Sequence, residues 1–319
     1  MKSLILNIGS TSIKYSIYDN KSFVLKGKTE DILEVIGMEK PDRIIARIVF
    51  GADKVEPIKI NKQSLKLLNK YNKYAPLHNP PTMVQLESII NKFPTIDVYG
   101  VFDSAFHQTI KEDRYTIPLP VEITKKYNLR KYGYHGFSHQ YLAYEYARIN
   151  KVKKFNIITC HLGGGSSVTA IKDGVSVATS MGFGPDEGLV MVKRIGTIGG
   201  GVVLNLIESG LSTQEVRDII YTKSGILGLS GTDDVKTVFD SNDKKYQVVF
   251  DIFINSVVDY IFSYIGYLES VDCVILTGGI GENNKRVQDT IRDKLKPYGI
   301  SLQITPTNEE IMMLKSIDN

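Results

Sequence analysis

Two kinds of apolar spacing alternate along the chain. Residues 3–8 (SLILNI) form a short apolar run, GSTS follows, and IKYSIYD then alternates, with Ile13, Tyr15 and Ile17 on one face and Lys14 and Ser16 on the other. A period of two on the far side of a Gly/Ser turn predicts a β-hairpin. The pattern returns over residues 156–172 as NIITCHL, GGGSS and VTAIKDG, with strands expected at 156–160 and 168–171. Further strands are expected at 43–49, 96–102 and 272–276. Apolar residues three and four apart predict helices over 63–73, 83–92, 138–149, 212–222, 246–266 and 285–296. In the fifth helix Val248, Ile252, Val257 and Ile261 mark the expected buried stripe. Ser212 and Thr213 stand where the N-cap of the fourth belongs. Residues 240–245 (DSNDKK) read as an exposed turn.

Strands alternating with helices place the chain in the α/β class. The repeated strand–turn–strand unit points to two similar α/β halves with a nucleotide in the cleft between them. Apolar–Gly–apolar hairpins are common, so the pattern alone leaves duplication and coincidence both open. The length of 319 residues fits two domains and buries a core without disulfides. The net charge of +4 comes from 39 basic and 35 acidic residues spread without a basic block, a solvated surface and not a nucleic-acid footprint. Cys160 and Cys273 sit in apolar strands, which fits a reducing cytoplasm. No uninterrupted apolar stretch approaches about 18 residues, so no membrane span is expected. The N-terminal apolar run lacks a small-residue cleavage signature and reads as a strand.

Candidate chemistry gathers on Gly-, Pro- and Asn-rich segments. All five histidines fall there: His78 (PLHNPP), His107 (AFHQT), His135 and His139 (YHGFSH) and His161 (CHLGGG). Loops on a rigid scaffold carry binding residues, so these are read as loop positions. A metal site around the YHGFSH pair is the alternative, but no Cys/His set completes a tetrahedron. GST and GGGSS expose backbone N–H groups with little bulk, which suits phosphate oxygens. Neither fits the GxxxxGK[ST] loop. TGGIGEN, residues 277–283, follows a strand and leads into a helix, a place for a nucleotide.

In order, LNIGSTSIKY, LHNPP, VFDSAFHQT, RKYGYHGFSHQY, IITCHLGGGSS, TSMGFGPDEGLVM, SGILGLSG, TGGIGEN and PTNEE span nearly the whole chain and closely resemble the acetate kinase family. The resemblance implies the duplicated actin-like ATPase (ribonuclease H-like) fold of acetate and sugar kinases, with nucleotide in the interdomain cleft. It implies an acid-substrate domain over 1–144, to which a helix at about 308–319 returns, and a nucleotide-binding domain over 145–307. The implied activity is reversible, in-line, Mg²⁺- or Mn²⁺-dependent phosphoryl transfer between ATP and acetate, giving acetyl phosphate and ADP. A cytoplasmic homodimer without nucleic-acid or membrane partners is expected.

Roles follow by motif. Asn7 and Glu309 resemble the family's Mg²⁺-binding pair, oxygen donors of the kind phosphoryl transfer needs. Ser10, Ser12 and Lys14 belong to the first ATP-contacting hairpin. His161, Leu162, Gly163, Gly164 and Gly165 resemble the β/γ-phosphate loop, and Gly279, Ile280, Gly281 and Asn283 the adenosine-side loop. Asp234 and Lys236 stand where relatives carry Asp-Phe-Arg. His135 and Arg194 resemble the pair that stabilises the phosphoryl group in flight. Arg47 resembles the arginine that holds the carboxylate, its fork matching that geometry. Val49, Leu77, Tyr134 and Pro185 resemble the acyl pocket, with His78 beside it. Asp103 resembles the active-site aspartate. A carboxylate acceptor is already ionised near neutrality, so Asp103 is expected to orient Arg47 or hydrated Mg²⁺ and not to abstract a proton.

Several positions depart from the family. ARIVFGA lacks two flanking histidines, Gly164 lacks an amide side chain, IGTIGGG follows Arg194 without acid or proline, and Asp186 replaces an apolar residue. Tyr134 stands where Phe is usual, and the chain is short. Propionate or butyrate as the acid, a pyrophosphate-using relative (disfavoured by the open TGGIGEN), and a non-catalytic nucleotide sensor are the rival readings.

Overall fold

The computed structural model describes residues 1–9, 12–75 and 78–318. Ser10, expected at the nucleotide, and Leu77, expected in the acyl pocket, lie outside the described residues. The chain forms two compact units, one of residues 1–108 with 308–319 and one of residues 109–307.

The first unit begins with the predicted hairpin, β1 (Lys2–Ile8) and β2 (Ile13–Asp19), followed by β3 (Ser22–Thr29). Helix α1 (Ile32–Glu39) leads to β4 (Arg43–Ile48) and the short β5 (Ile58–Lys59). Helices α2 (Lys62–Leu68) and α3 (Asn79–Lys92) precede β6 (Asp97–Phe102). The predicted helix at 63–73 ends early: at Asn69 the backbone tightens into a 3-10 turn through Tyr74. Helix α3 starts earlier than expected because Pro80 and Pro81 fit its first turn, where no N–H partner is needed.

The second unit opens with α4 (Glu112–Tyr115), α5 (Val121–Tyr127) and α6 (Gly136–Asn150). The second hairpin is β7 (Asn156–Leu162) and β8 (Ser166–Lys172), extended by β9 (Val175–Thr179). Four helices follow: α7 (Gly200–Glu208), α8 (Thr213–Thr222), α9 (Gly225–Ser230) and α10 (Val235–Asp240). The long α11 (Lys244–Leu268) precedes β10 (Cys273–Thr277). Then come α12 (Gly278–Asn283), α13 (Lys285–Leu295) and β11 (Ser301–Ile304). Ser212 caps α8 with Glu215 completing the capping box. The exposed turn at 240–245 is confined to 241–243, since α10 and α11 take its two ends.

Among the described residues the first sheet has the order β3-β2-β1-β4-β6-β5 and the second β11-β10-β7-β8-β9. Reversed, the second reads β9-β8-β7-β10-β11. In both, the first three strands pair antiparallel and the next two join parallel. The same unit therefore occurs twice. Each has its own core: Leu4, Leu6, Ile44, Ile48, Leu86 and Phe102 in the first, Ile158, Leu162, Val168, Phe253, Val257 and Leu276 in the second.

The boundary falls at 108/109, ahead of the expected 144/145. The residues between belong to the second unit because α6 packs on β7, with His139 bonded to Thr159. The stripe expected on α11 is rotated. Val248 and Ile252 are exposed, and the buried face is Val249, Phe250, Phe253, Ile254, Val257, Ile261, Tyr264 and Leu268. By length and composition α11 is apolar enough to cross a membrane. Asp251 and Asp259, both exposed, interrupt its apolar run, which is why the sequence shows no span there.

Helix α14 (Glu309–Asp318) belongs to the first unit and is clipped along β4 by ion pairs at both ends. Arg43 Nη1 meets Asp318 Oδ1 at 2.6 Å, and Arg47 Nη1 lies 3.7 Å from Glu309 Oε2. The spacing is commensurate. Four strand steps and nine helical steps both advance about 13 Å.

Candidate active site

In the first unit Asn7, Arg47 and Asp103 come from three adjacent parallel strands, β1, β4 and the residue after β6, at their carboxyl ends. Open α/β sheets bind ligands there. Arg47 Nη2 donates to Asp103 Oδ2 at 2.6 Å, and Nη1 donates to Asn7 Oδ1 at 3.3 Å. Glu309 reaches the same guanidinium from α14. Burial pulls the Arg47 pKa down, but the facing charges of Asp103 and Glu309 outweigh it and hold Arg47 above its ordinary value. Burial pushes Glu309 up, and Asp103 and Glu310 add to this while Arg47 opposes it. Arg47 Nε and Ser104 Oγ are buried without a hydrogen-bond partner. Two unmet donors at the carboxyl ends of neighbouring strands are places for the oxygens of a bound anion.

Val49 follows β4 and His78 precedes α3, and a residue the sequence reading passed over joins these two segments. Asn79, fully buried, donates from Nδ2 to the Phe50 carbonyl at 2.9 Å and accepts the Phe50 N–H at 3.2 Å. That amide pair ties the segment after β4 to the start of α3. Lys14 is exposed on β2, opposite Asn7 in the hairpin register. Gly9 N–H donates to the Ser12 carbonyl at 3.0 Å.

In the second unit His135 takes a left-handed backbone (φ 57) just before α6, a conformation that costs a non-glycine residue and recurs at functional sites. Its ring lies 4.3 Å from that of His161 on β7. A methyl built on Gly165 would sit 3.2 Å from both His135 Nε2 and Arg194 Nη1, so these two groups meet over the glycine loop. Arg194 is fixed by donation to the Pro185 carbonyl at 2.8 Å. Its loop is clamped where the sequence looked empty: Gly188 N–H donates to Thr197 Oγ1, and Thr197 N–H donates back to the Gly188 carbonyl, both at 3.0 Å. Thr197 belongs to the divergent IGTIGGG. Burial lowers the Arg194 pKa, opposed by Asp186, Tyr221 and Tyr134. Tyr134 is buried and donates to the Phe183 carbonyl at 2.9 Å.

The histidines are not all on loops. His139 is inside α6 and His161 is on β7, because two of the Gly-rich contexts are turns that begin or end regular elements. TGGIGEN likewise is not an open loop: Gly278–Asn283 coil into α12.

A cavity of about 540 Å³ is lined by Gly163, Gly164, Asp234, Lys236, Gly279, Ile280 and Asn283, together with Asp233, Asn284 and Lys285. The volume falls within the usual range for small-molecule sites. Gly164 and Gly279 have nothing within 4 Å of a built methyl, so no protein neighbour requires glycine there. Gly278 differs: at φ +81 its methyl would strike the Leu162 carbonyl oxygen at 2.6 Å. Leu162 and Gly281 thus pack α12 onto β7 and do not line the cavity. The Asp234 carboxylate caps α10, accepting from Lys236 N–H and Thr237 N–H.

The chain matches the acetokinase family over residues 41–313. The chain belongs to that family. It is a phosphotransferase with the duplicated actin-like ATPase fold of its relatives. Acetate kinase of Carboxydothermus hydrogenoformans is 33% identical, with 99% of this chain and 98% of the relative covered. That of Caldicellulosiruptor saccharolyticus is 34% identical at the same coverage. Among solved structures, a propionate kinase from Francisella tularensis superposes with a TM-score of 0.92 at 29% identity, covering 99% of this chain and 98% of that one. Acetate kinase of Porphyromonas gingivalis gives 0.88 at 27% identity, with 98% of each covered.

Asn7, Arg47, Asp103 and Glu309 lie together in the first unit, and His135, His161, Gly165 and Arg194 lie together in the second. Sequence reasoning missed Asn79, Thr197, Ser167 and Asn284. The LHNPP motif contained the signal for Asn79, a helix-start amide beside prolines.

Proposed function

We propose that this phosphotransferase moves the γ-phosphoryl group of ATP to acetate, forming acetyl phosphate and ADP reversibly by direct in-line transfer. The observation that carries the reading is Arg47. It is a buried guanidinium held on one edge by Asp103 and Asn7, with Nε left unmet for a carboxylate or acyl phosphate oxygen. Asp103 already accepts from Arg47, which supports an orienting role and not that of a general base. His135 and Arg194 supply donors to the equatorial oxygens, and the glycine-lined cavity takes the nucleotide.

Among the described residues no group of three His, Cys, Asp or Glu forms a metal cage. The amide oxygen of Asn7 and the carboxylates of Asp103 and Glu309 are hard oxygen donors, and Glu309 is a buried carboxyl that Arg47 compensates only from 3.7 Å. This set fits Mg²⁺, which takes few protein ligands and phosphates for the rest. Asn7 and Glu309 would hold it, and when bound it neutralises phosphate charge. Incubation with Mg-ATP and acetate, trapping acyl phosphate with hydroxylamine, tests the function. No hydroxamate from acetate, propionate or butyrate would leave a nucleotide sensor in its place.

Propionate is the second reading, favoured by the match to a propionate kinase. A pocket separates acids differing by one methylene by only about 1–3 kcal/mol, so competing the two acids decides. A homodimer in a reducing cytoplasm completes the proposal. Two buried free thiols, Cys160 and Cys273, support the reducing compartment, which fractionation checks, and sizing in solution checks the homodimer.

A further inference from the structure

Behind His135 lies a chain of side chains that the proposed transfer does not use directly. His135 Nδ1 is 2.9 Å from Ser167 Oγ, the same Oγ is 2.8 Å from His139 Nε2, and His139 Nδ1 is 2.7 Å from Thr159 Oγ1. His139, Ser167 and Thr159 are fully buried. A buried imidazole with both nitrogens engaged by hydroxyls one helical turn from His135 is more than packing requires, since an apolar side chain would fill the space without desolvating two polar atoms.

The chain also has a direction. With the Thr159 hydroxyl directed at the Thr169 carbonyl, 3.5 Å away, Thr159 Oγ1 is assigned as acceptor toward His139, and the His139 proton is assigned to Nδ1. Nε2 of neutral His139 then accepts from the Ser167 hydroxyl, and Ser167 Oγ in turn accepts from Nδ1–H of His135. Neutral His135 is thereby held as the Nδ1–H tautomer, with Nε2 on the side of Gly165 and Arg194.

We propose that Ser167 and His139 are positioning residues for His135, a hydroxyl–imidazole relay that fixes its ring and tautomer so that Nε2 donates to the phosphoryl group only when His135 is an imidazolium. This rests on the reading that His135 faces the transferring phosphoryl. The titratable and charged groups around the His135 ring are His161 from β7, His139 from its own helix and Arg194 from the loop after β9. Tyr134 precedes it in the chain, and Asp186 and Tyr221 stand behind Arg194. Turnover should therefore fall as rising pH strips the second proton from His135.

The test combines pH profiles with ¹⁵N NMR of histidine side chains in the full chain. Ser167→Ala removes the acceptor that holds Nδ1–H. Its kcat should drop about 2- to 10-fold at the wild-type optimum, the scale of one hydrogen bond, with KM for ATP little changed. Its alkaline limb should flatten, because neutral His135 is now free to carry its proton on Nε2, and the NMR spectrum should show that tautomer. His139→Gln should give an intermediate profile. A Ser167→Ala profile of wild-type shape, or an Nδ1–H tautomer unchanged in that variant, overturns the relay. Should Ser167→Ala not fold, an Nε2–H tautomer in the wild-type protein overturns it equally. His135→Ala separates the levels. If it abolishes turnover while Ser167→Ala changes nothing, the relay alone falls; if it leaves kcat intact, the role of His135 falls and the relay with it.

Discussion

Replacing Arg47 by methionine keeps most of the side-chain volume and removes the charge. Asp103, fully buried, then loses its 2.6 Å partner, and Glu309, with 15% of its side chain exposed, loses the guanidinium 3.7 Å away. Breaking a buried pair by deleting one partner costs about 3–5 kcal/mol, because the other charge stays buried. A unit of this size loses about 3–5 °C per kcal/mol, so Tm of the first unit should fall by about 9–25 °C.

The loss should depend on pH in a defined sense. Burial already raises Glu309 in the folded protein, and removing Arg47 raises it further. A carboxyl whose folded pKa exceeds its unfolded value favours folding fully below the unfolded value, and that contribution is lost as pH rises through the folded one. The deficit of Arg47→Met against wild type is therefore smaller near pH 5 than near pH 8. Adding Asp103→Asn should recover much of it, since one stranded carboxylate is gone. Differential scanning of the four proteins of the cycle at both pH values is the measurement. A Tm within about 3 °C of wild type near pH 8, or a deficit equal at the two pH values, refutes the buried-cluster account. In assays, KM for the acid should rise more than KM for ATP; equal losses would remove Arg47 from the acid site.

Three further outcomes are expected. Gly164→Ala and Gly279→Ala meet no protein atom within 4 Å, so they should keep Tm while raising KM for ATP several-fold; Gly278→Ala, at φ +81 against the Leu162 carbonyl, should instead lower Tm, and nucleotide titrations with melts separate the two classes. Arg194→Ala should lower kcat by about 100-fold or more, as for loss of a donor acting on transition-state charge, and a pure KM effect would contradict that role. Asp318→Asn breaks the 2.6 Å pair with Arg43; because that bond holds the Asp318 carboxyl below its usual range, the loss of about 1–3 kcal/mol should be present above that range and vanish as pH falls through the depressed value, and the Mg²⁺ needed for half-maximal rate should rise as Glu309 loosens.

The sequence displayed the frame better than the placement of individual groups. Period-two runs around a glycine turn gave both hairpins nearly to the residue, since each is a local pattern with an obligatory turn. On α11 the expected stripe holds at Val257 and Ile261 and fails at Val248 and Ile252, because the apolar residues run nearly all round the helix and only its packing on the second sheet exposes Val248 and Ile252 while burying Phe250 and Phe253. Motif reading identified Arg47 and Asp103, but their ion pair joins residues 56 positions apart in sequence, through strands that no local pattern sets side by side. Ser167 and Thr159 were invisible as site residues because a hydroxyl in a strand has no distinguishing spacing. Their use depends on α6 laying His139 across β7 and β8.

Duplication explains why the two strand-end clusters carry different chemistry on one frame. Counted from the closing pair of each hairpin, Ile8 with Ile13 and Leu162 with Ser166, Asn7 and His161 hold the same place. One strand over, Arg47 follows the Leu6–Ala46 pair as the neighbour of Asn7, and Thr277 is the registered neighbour of His161. In the first unit that second place is a guanidinium flanked by carboxylates, a charged cluster suited to an anionic acid and a cation. In the second it is a hydroxyl donating to Glu282 Oε1 at 2.9 Å, an oxygen that also accepts the Gly278 N–H at 2.9 Å and so fixes the glycine turn into α12. An arginine at 277 would be drawn to Glu282 and break that bracket, and a threonine at 47 would strand Asp103. Each unit therefore keeps its own solution at equivalent strand ends, and exchanging the two residues should disable both clusters while leaving the sheets intact.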